Sequence, residues 1–204
     1  MRNPGGRALQ QTFGIILAGG AARRMGGGDK PLLALGDGTL LSHVIGRIAP
    51  QVAGLALSAN GDPARFARFG LAVLADADAG RPGPLAGILA GMDWAAAAGA
   101  EALVSVAGDT PFLPPDLVPR LLLAGSGGPA LAATSGGRHP TFGLWPVRLR
   151  DDLRAALARG ERRVAAFANR HGAETAWFPD QPFDPFFNVN TPDDLARARG
   201  MPGA

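Results

Sequence analysis

The chain of 204 residues has no cysteine and no tyrosine. It has three histidines and one lysine, Lys30; lysine and arginine together number 20, so the other 19 basic side chains are arginine. Without cysteine there is no disulfide framework, no thiol nucleophile and no thiolate metal site. His43, His139 and His171 lie far apart and show no metal-ligand spacing. No run of 18 or more apolar residues is present, which excludes a helical membrane span of the usual kind. Charge is also sparse, at 18% of residues with a net +3. The pI of about 10.8 reflects arginine without titrating thiols or phenols. The basic residues are scattered apart from Arg23-Arg24 and Arg162-Arg163, so the stripe of a bulk nucleic-acid binder is missing. Residues 1–11, MRNPGGRALQQ, lack the apolar run and cleavage site of a secretion signal and are expected to form a flexible tail. These absences point to a soluble cytoplasmic protein with neither nucleic acid nor membrane as partner.

What the chain has is apolar content, 47% of residues, enough for one sizeable core and one domain over residues 12–204. Short apolar runs alternate with helical patterns. Strands are expected at 13–17, 54–58, 71–75 and 102–107, with helices at 39–49, 62–69, 84–98 and 115–124. Further on, strands are expected at 129–135 and 139–145, around a Gly136-Gly137 turn, and at 175–178, and helices at 148–159 and 161–170. Thr191 followed by Pro192 reads as the cap and first residue of a closing helix. Strand, loop and helix in repetition predict a mostly parallel sheet with helices on both faces. Ligands of such sheets bind at the carboxyl ends of the strands. The loop after residue 17 and the loop after residue 107 should therefore share one crevice.

The first of these loops reads LAGGAARRMGGGDK, residues 17–30. Its glycine spacing fits neither G-x-G-x-x-G nor the Walker pattern. Adjacent glycines such as Gly19 and Gly20 let backbone N–H groups turn toward one anion. Arg23, Arg24 and Lys30 then add full charges. Arginine suits fork-like contact with phosphate oxygens, whereas lysine is a compact point charge on a flexible stem. A triphosphate losing pyrophosphate builds charge on the leaving group, and a lysine reaching its oxygens answers that need.

The second loop is GDTP, residues 108–111. An aspartate at the end of a buried strand is costly unless paired. Asp109 therefore either caps its neighbours or holds a metal, and magnesium favours one or two carboxylates beside phosphates and water. Asn188 and Asn190, in NVN, stand one strand period apart on one face. Asn190 either ligates metal or caps the next helix. Asp76 ends a strand before the loop DAGRPGP. Arg162 and Arg163 follow Gly160-Glu161 at an expected helix start, where N–H groups favour anions.

Together, LAGGAARRMGGGDK, PGPLAG, DTPFLPPDL, RHPTFGLW, GERRV and FNVNTPDDL, in this order, resemble the molybdenum cofactor guanylyltransferases of the nucleotidyltransferase family. The resemblance covers nearly the whole chain. It implies a single-domain Rossmann-like α/β nucleotidyltransferase that uses Mg2+ to attach GMP from GTP to the terminal phosphate of molybdopterin, with release of pyrophosphate. It implies nucleotide contact by Leu17, Ala18, Gly19, Gly20, Lys30, Ser58, Asp76 and Asp109, with magnesium also at Asp109. Arg24, Lys30 and Asp109 become the catalytic candidates, and His139, Arg162, Arg163, Asn188 and Asn190 the candidates for the pterin side. Molybdenum insertion proteins and molybdoenzyme chaperones are the implied protein partners. Ser58 stands where members of the family carry asparagine, and LAGG rather than LAAG favours GTP over CTP. Two other readings are a cytidylyl or sugar-phosphate transferase on the same fold, and a nucleotide-binding carrier module without catalysis.

Overall fold

The computed structural model describes residues 11–19, 29–76 and 83–203. Residues 1–10 of the expected tail, Gly20, Arg23, Arg24 and most of DAGRPGP lie outside those residues, whereas Gln11 is described and its carbonyl accepts Glu101 N at 3.0 Å. The order of elements starts with β1 (Thr12–Leu17), the hairpin β2 (Ala34–Leu35) and β3 (Gly38–Thr39), α1 (Leu40–Ile48), β4 (Gly54–Ser58) and β5 (Ala72–Leu74). It continues with α2 (Pro84–Ala97), β6 (Ala102–Ala107), α3 (Leu117–Gly125), β7 (Ala130–Thr134) and β8 (Gly137–Pro146). It closes with α4 (Arg150–Ala158), α5 (Val164–Arg170), β9 (Glu174–Trp177) and α6 (Pro192–Arg199).

Seven strands form one sheet in the order β5-β4-β1-β6-β8-β7-β9. β1 pairs in parallel with β4 and β6, β4 with β5, and β7 with β9. β8 runs antiparallel to both of its neighbours, β6 and β7. The sheet is thus mostly parallel, with one reversed strand inserted.

Successive residues of the inner strands serve opposite faces, as the pleat requires. Ile16, Leu57, Val104 and Ala132 pack with α1 and α3. Ile15, Ala56, Leu103 and Leu131 pack with α2, α4 and α5. Burial on both faces is why these strands read as continuous apolar runs in the sequence. A third, smaller cluster joins Leu35, Leu40, Phe112, Val189 and Ala198. It lies under the site, because it ties the hairpin, the segment after GDTP, the NVN segment and α6 into one unit. Full burial of a side chain such as Val189 contributes on the order of 1.5–3 kcal/mol to that anchoring.

Three local expectations are corrected. The segment 62–69 is a 3-10 helix, Pro63–Phe69, capped by Asp62 Oδ1. The helix expected from residue 115 begins at Leu117. The helix expected from residue 161 begins at Val164, because the Glu161 carboxylate takes the N–H groups of Arg162 and Arg163. That carboxylate is held below its ordinary range by the same two backbone donors, Arg163 first.

Candidate active site

The carboxyl ends of β4, β1 and β6 finish in step, and backbone bonding continues past them. Ala18 N donates to Ser58 O at 2.9 Å, Gly108 N to Leu17 O at 3.0 Å, and Ala59 N to Leu74 O at 3.0 Å. The segments beginning at Leu17, Ser58 and Gly108 therefore lie side by side, as the shared-crevice reading requires. Gly108 fits because its neighbours are backbone: a Cβ there would come within 3.3 Å of Leu17 O and 3.4 Å of Ala18 Cα. Gly87 plays a similar part from α2, where a Cβ would meet Ser58 Oγ at 2.5 Å and Leu17 Cδ2 at 2.8 Å. The helix start is thereby kept against the crevice floor.

Lys30 is the centre of the arrangement. Its Nζ donates to Asp109 Oδ2 at 2.5 Å, to Asn190 Oδ1 at 2.5 Å and to Asn188 Oδ1 at 3.2 Å. Only 8% of the residue is exposed. An ammonium has three protons to donate, and each finds one oxygen. Asp109 is anchored in turn: its carbonyl accepts Val189 N at 3.0 Å, and its Oδ1 faces Thr110 Oγ1 at 3.4 Å. The segment Asn188–Asn190 is extended coil rather than a strand end, yet the two-residue alternation survives. Val189 turns into the third cluster while both asparagines turn toward Lys30. Asn190 does not cap the closing helix; Thr191 does, through Asp194 N, and the Asp194 carboxylate receives both Asn190 N and Thr191 N. Burial raises the Asp194 pKa, but these hydrogen bonds outweigh it and leave the carboxyl below its usual range.

A second group sits at the ends of β4 and β5. Asp76 Oδ1 accepts from Ser58 Oγ at 3.0 Å, and Asp76 Oδ2 from Asn60 Nδ2 at 2.8 Å. Asn60 Oδ1 accepts Asp76 N at 3.0 Å, closing a ring between the two residues. Sequence reasoning selected Ser58 and passed over Asn60. The signal was in SAN, where the asparagine stands two residues further on, the spacing that returns a side chain to the same side of an extended segment. Arg65 links this group to the first: its Nη2 donates to Asn60 O at 2.5 Å, and its Nε lies 3.1 Å from Asp29 Oδ2, close for charge pairing but poorly aimed for a hydrogen bond.

The residues expected on the acceptor side fall into two places. His139 lies on β8 opposite Ala132, stacked on Phe186 with ring centroids 4.5 Å apart, its Nε2 3.0 Å from Thr134 Oγ1. Burial lowers its pKa, and nearby Asp184 opposes that shift. Arg162 and Arg163 belong to the connection between α4 and α5. The Arg162 guanidinium donates to the carbonyls of Leu157 and Glu161 at 3.0 and 2.7 Å. With Arg159 and Arg170 they line a surface pocket of about 390 Å³ that also contains Glu161. Since α5 has seven residues and Glu161 takes the flanking N–H groups, the arginine side chains rather than a helix end supply the positive character there.

A model of the MobA-like NTP transferase domain matches residues 14–175 of this chain. A molybdenum cofactor guanylyltransferase of Cereibacter sphaeroides is 58% identical over 191 residues, covering 94% of this chain and 97% of that protein. Among solved structures, molybdopterin-guanine dinucleotide biosynthesis protein A from Archaeoglobus fulgidus superposes with a TM-score of 0.72 at 24% identity, covering 92% of this chain and 97% of that one. A Mycobacterium tuberculosis protein solved as a complex with manganese gives a TM-score of 0.64 at 20% identity, covering 94% and 99%.

Proposed function

The chain belongs to the MobA-like NTP transferase family and, within it, to the molybdenum cofactor guanylyltransferases, and from that premise we propose how its residues move GMP from GTP to molybdopterin. The terminal phosphate oxygen of molybdopterin attacks the α-phosphorus of GTP. A new P–O bond forms, the bond to the bridging oxygen of the β-phosphate breaks, and pyrophosphate leaves. The attacking phosphate is already a nucleophile, so the protein's task is positioning and charge stabilisation.

The observation that carries the assignment of roles is the convergence of Lys30, Asp109, Asn188 and Asn190 at the carboxyl ends of β1 and β6. Asp109, with amide oxygens from Asn188 and Asn190, offers the hard-oxygen donor set that magnesium accepts. When bound, magnesium supplies positive charge that neutralises and orients phosphate oxygens. Lys30 carries the charge that meets the departing pyrophosphate, and Arg24 adds to it. Leu17, Ala18, Gly19 and Gly20 contact the nucleotide. Asp76, oriented by Ser58 and Asn60, binds the nucleoside, since a carboxylate with both oxygens fixed is a directional acceptor for ribose hydroxyl or guanine N–H groups. Arg162 and Arg163, in their arginine-lined pocket, hold the anionic end of the acceptor, with His139 on the neighbouring strand.

The deciding experiment gives the purified protein GTP, magnesium and molybdopterin, and measures dinucleotide and pyrophosphate together. Equal turnover with CTP would refute guanylyl specificity. Changing Arg162 and Arg163 together to alanine should raise KM for molybdopterin and leave KM for GTP in place; an equal rise in both contradicts their acceptor role.

A further inference from the structure

Lys30 does more than wait for phosphate. Its ammonium stands among the same three oxygens, from Asp109, Asn188 and Asn190, that the metal reading uses. Two positive centres cannot share one set of donors a few ångströms across without strong repulsion. We infer that Lys30 is an exchangeable internal cation: in the nucleotide-free protein its ammonium fills the divalent-metal site, and it leaves those oxygens for a triphosphate when metal and nucleotide arrive together. The inference rests on the reading that Asp109 holds metal.

Several features support exchange over a fixed salt bridge. The backbone at Lys30 is pinned: Leu33 N donates to Lys30 O at 3.2 Å, Leu32 N to Asp29 O at 2.9 Å, and Pro31 restricts the residue before it. The four-carbon stem above that fixed backbone can still carry the ammonium several ångströms. A departing charge needs a replacement on both sides, because a part-buried Asp109 left unpaired is costly and so is an ammonium with no acceptor. Divalent metal satisfies Asp109, and triphosphate satisfies Lys30. Neither does both alone, so metal and nucleotide bind with positive coupling. This also accounts for the one lysine among 19 arginines. Three convergent oxygens match the three protons of a compact ammonium, and a planar guanidinium cannot present its donors that way.

The test uses Mn2+ as the probe, titrated into nucleotide-free protein and followed by electron paramagnetic resonance. Lys30→Met should bind Mn2+ about tenfold or more tightly than wild type, since a charge competing for the site is gone. The gain should vanish in Lys30→Met combined with Asp109→Asn. A second readout uses the single lysine: protein labelled with 15N-lysine shows one side-chain ammonium resonance. That resonance should move when magnesium and a non-hydrolysable GTP analogue are added together, and stay in place with magnesium alone. Unchanged Mn2+ affinity in Lys30→Met, while Asp109→Asn still abolishes metal uptake with nucleotide, overturns the exchange and leaves the metal reading standing. A gain that persists in the double variant places the metal elsewhere and overturns both. If Lys30→Met does not fold, the wild-type resonance decides: no shift with metal and analogue together overturns the exchange.

Discussion

Lys30 Nζ and Asp109 Oδ2 meet at 2.5 Å across 79 positions of chain, one from the loop after β1 and the other from the loop after β6. The two strands are paired in register to their last residues, Leu17 opposite Ala107, which sets the starts of the two loops side by side. Opposite charges brought together by the core, away from bulk water, couple the scaffold to the chemistry.

Replacing Asp109 by asparagine should leave the fold and remove most transfer. The amide keeps the volume and an oxygen, but it is a poorer magnesium ligand and no longer balances Lys30. Loss of turnover by roughly 100- to 1000-fold is expected, by analogy with removal of one preorganised electrostatic group. A magnesium titration of kcat, with circular dichroism as the fold control, checks this. A wild-type rate with wild-type magnesium dependence contradicts it.

Lys30→Arg should fail to restore function although it keeps the charge. Its planar fork on a longer stem overreaches the bridging phosphate oxygen that a compact ammonium can approach. The expected loss is on the order of 2–4 kcal/mol in the transition state, roughly 30- to 1000-fold in rate. The measurement is kcat at saturating GTP and magnesium for Lys30→Arg beside Lys30→Ala. An arginine variant within about threefold of wild type means that charge alone suffices.

Much of this arrangement was legible in the sequence, for physical reasons. β1, β4 and β6 are buried on both faces, so they appear as apolar runs, and their ends lie within one residue of expectation. Glycines and polar residues just after those runs marked the crevice. The antiparallel pairing of β8 with β7 was legible in two expected strands joined by a short glycine turn, but the insertion of β8 beside β6 was not, because it depends on contacts such as Ser105 opposite Gly143, far apart in sequence. Nor was the meeting of Lys30 with Asn188 and Asn190. Alternation placed both asparagines on one side, but only the burial of Val189 with Phe112 and Leu35 determines where that side faces. The true start of α5 was hidden because an acidic residue at an apparent helix start reads as a first-turn residue, whereas Glu161 serves as the acceptor ahead of the helix.

Asn60→Ala should weaken GTP binding more than it slows transfer. It removes the donor to Asp76 Oδ2 and the acceptor for Asp76 N, so the carboxylate loses its fixed orientation. The group is exposed, so a rise in KM for GTP of roughly three- to tenfold is expected, with kcat little changed. Asn60→Asp should be worse, because it sets a like charge beside Asp76. Steady-state kinetics with GTP varied at saturating molybdopterin distinguishes the two effects. A fall in kcat at constant KM would move Asn60 from nucleotide binding to the chemical step.

His139 should make stability depend on pH in one direction. Burial beside Phe186 disfavours its charged form, so its folded pKa lies below the ordinary 6.5 despite the opposing pull of Asp184. The unfolded chain therefore takes up a proton first as pH falls. Stability from this group is fully present above the unfolded pKa and is lost as pH falls through about 6.5 toward the folded value. Thermal unfolding followed from about pH 8 to about pH 5 should show a Tm that holds and then declines in that window. The comparison that matters is between wild type and His139→Gln. Glutamine still reaches Thr134 Oγ1 with an amide but cannot take up a proton. Its profile should be flatter than that of wild type between about pH 6.5 and about pH 5. Parallel profiles would mean that the proton is taken up elsewhere, and that His139 stays in place without linkage to folding.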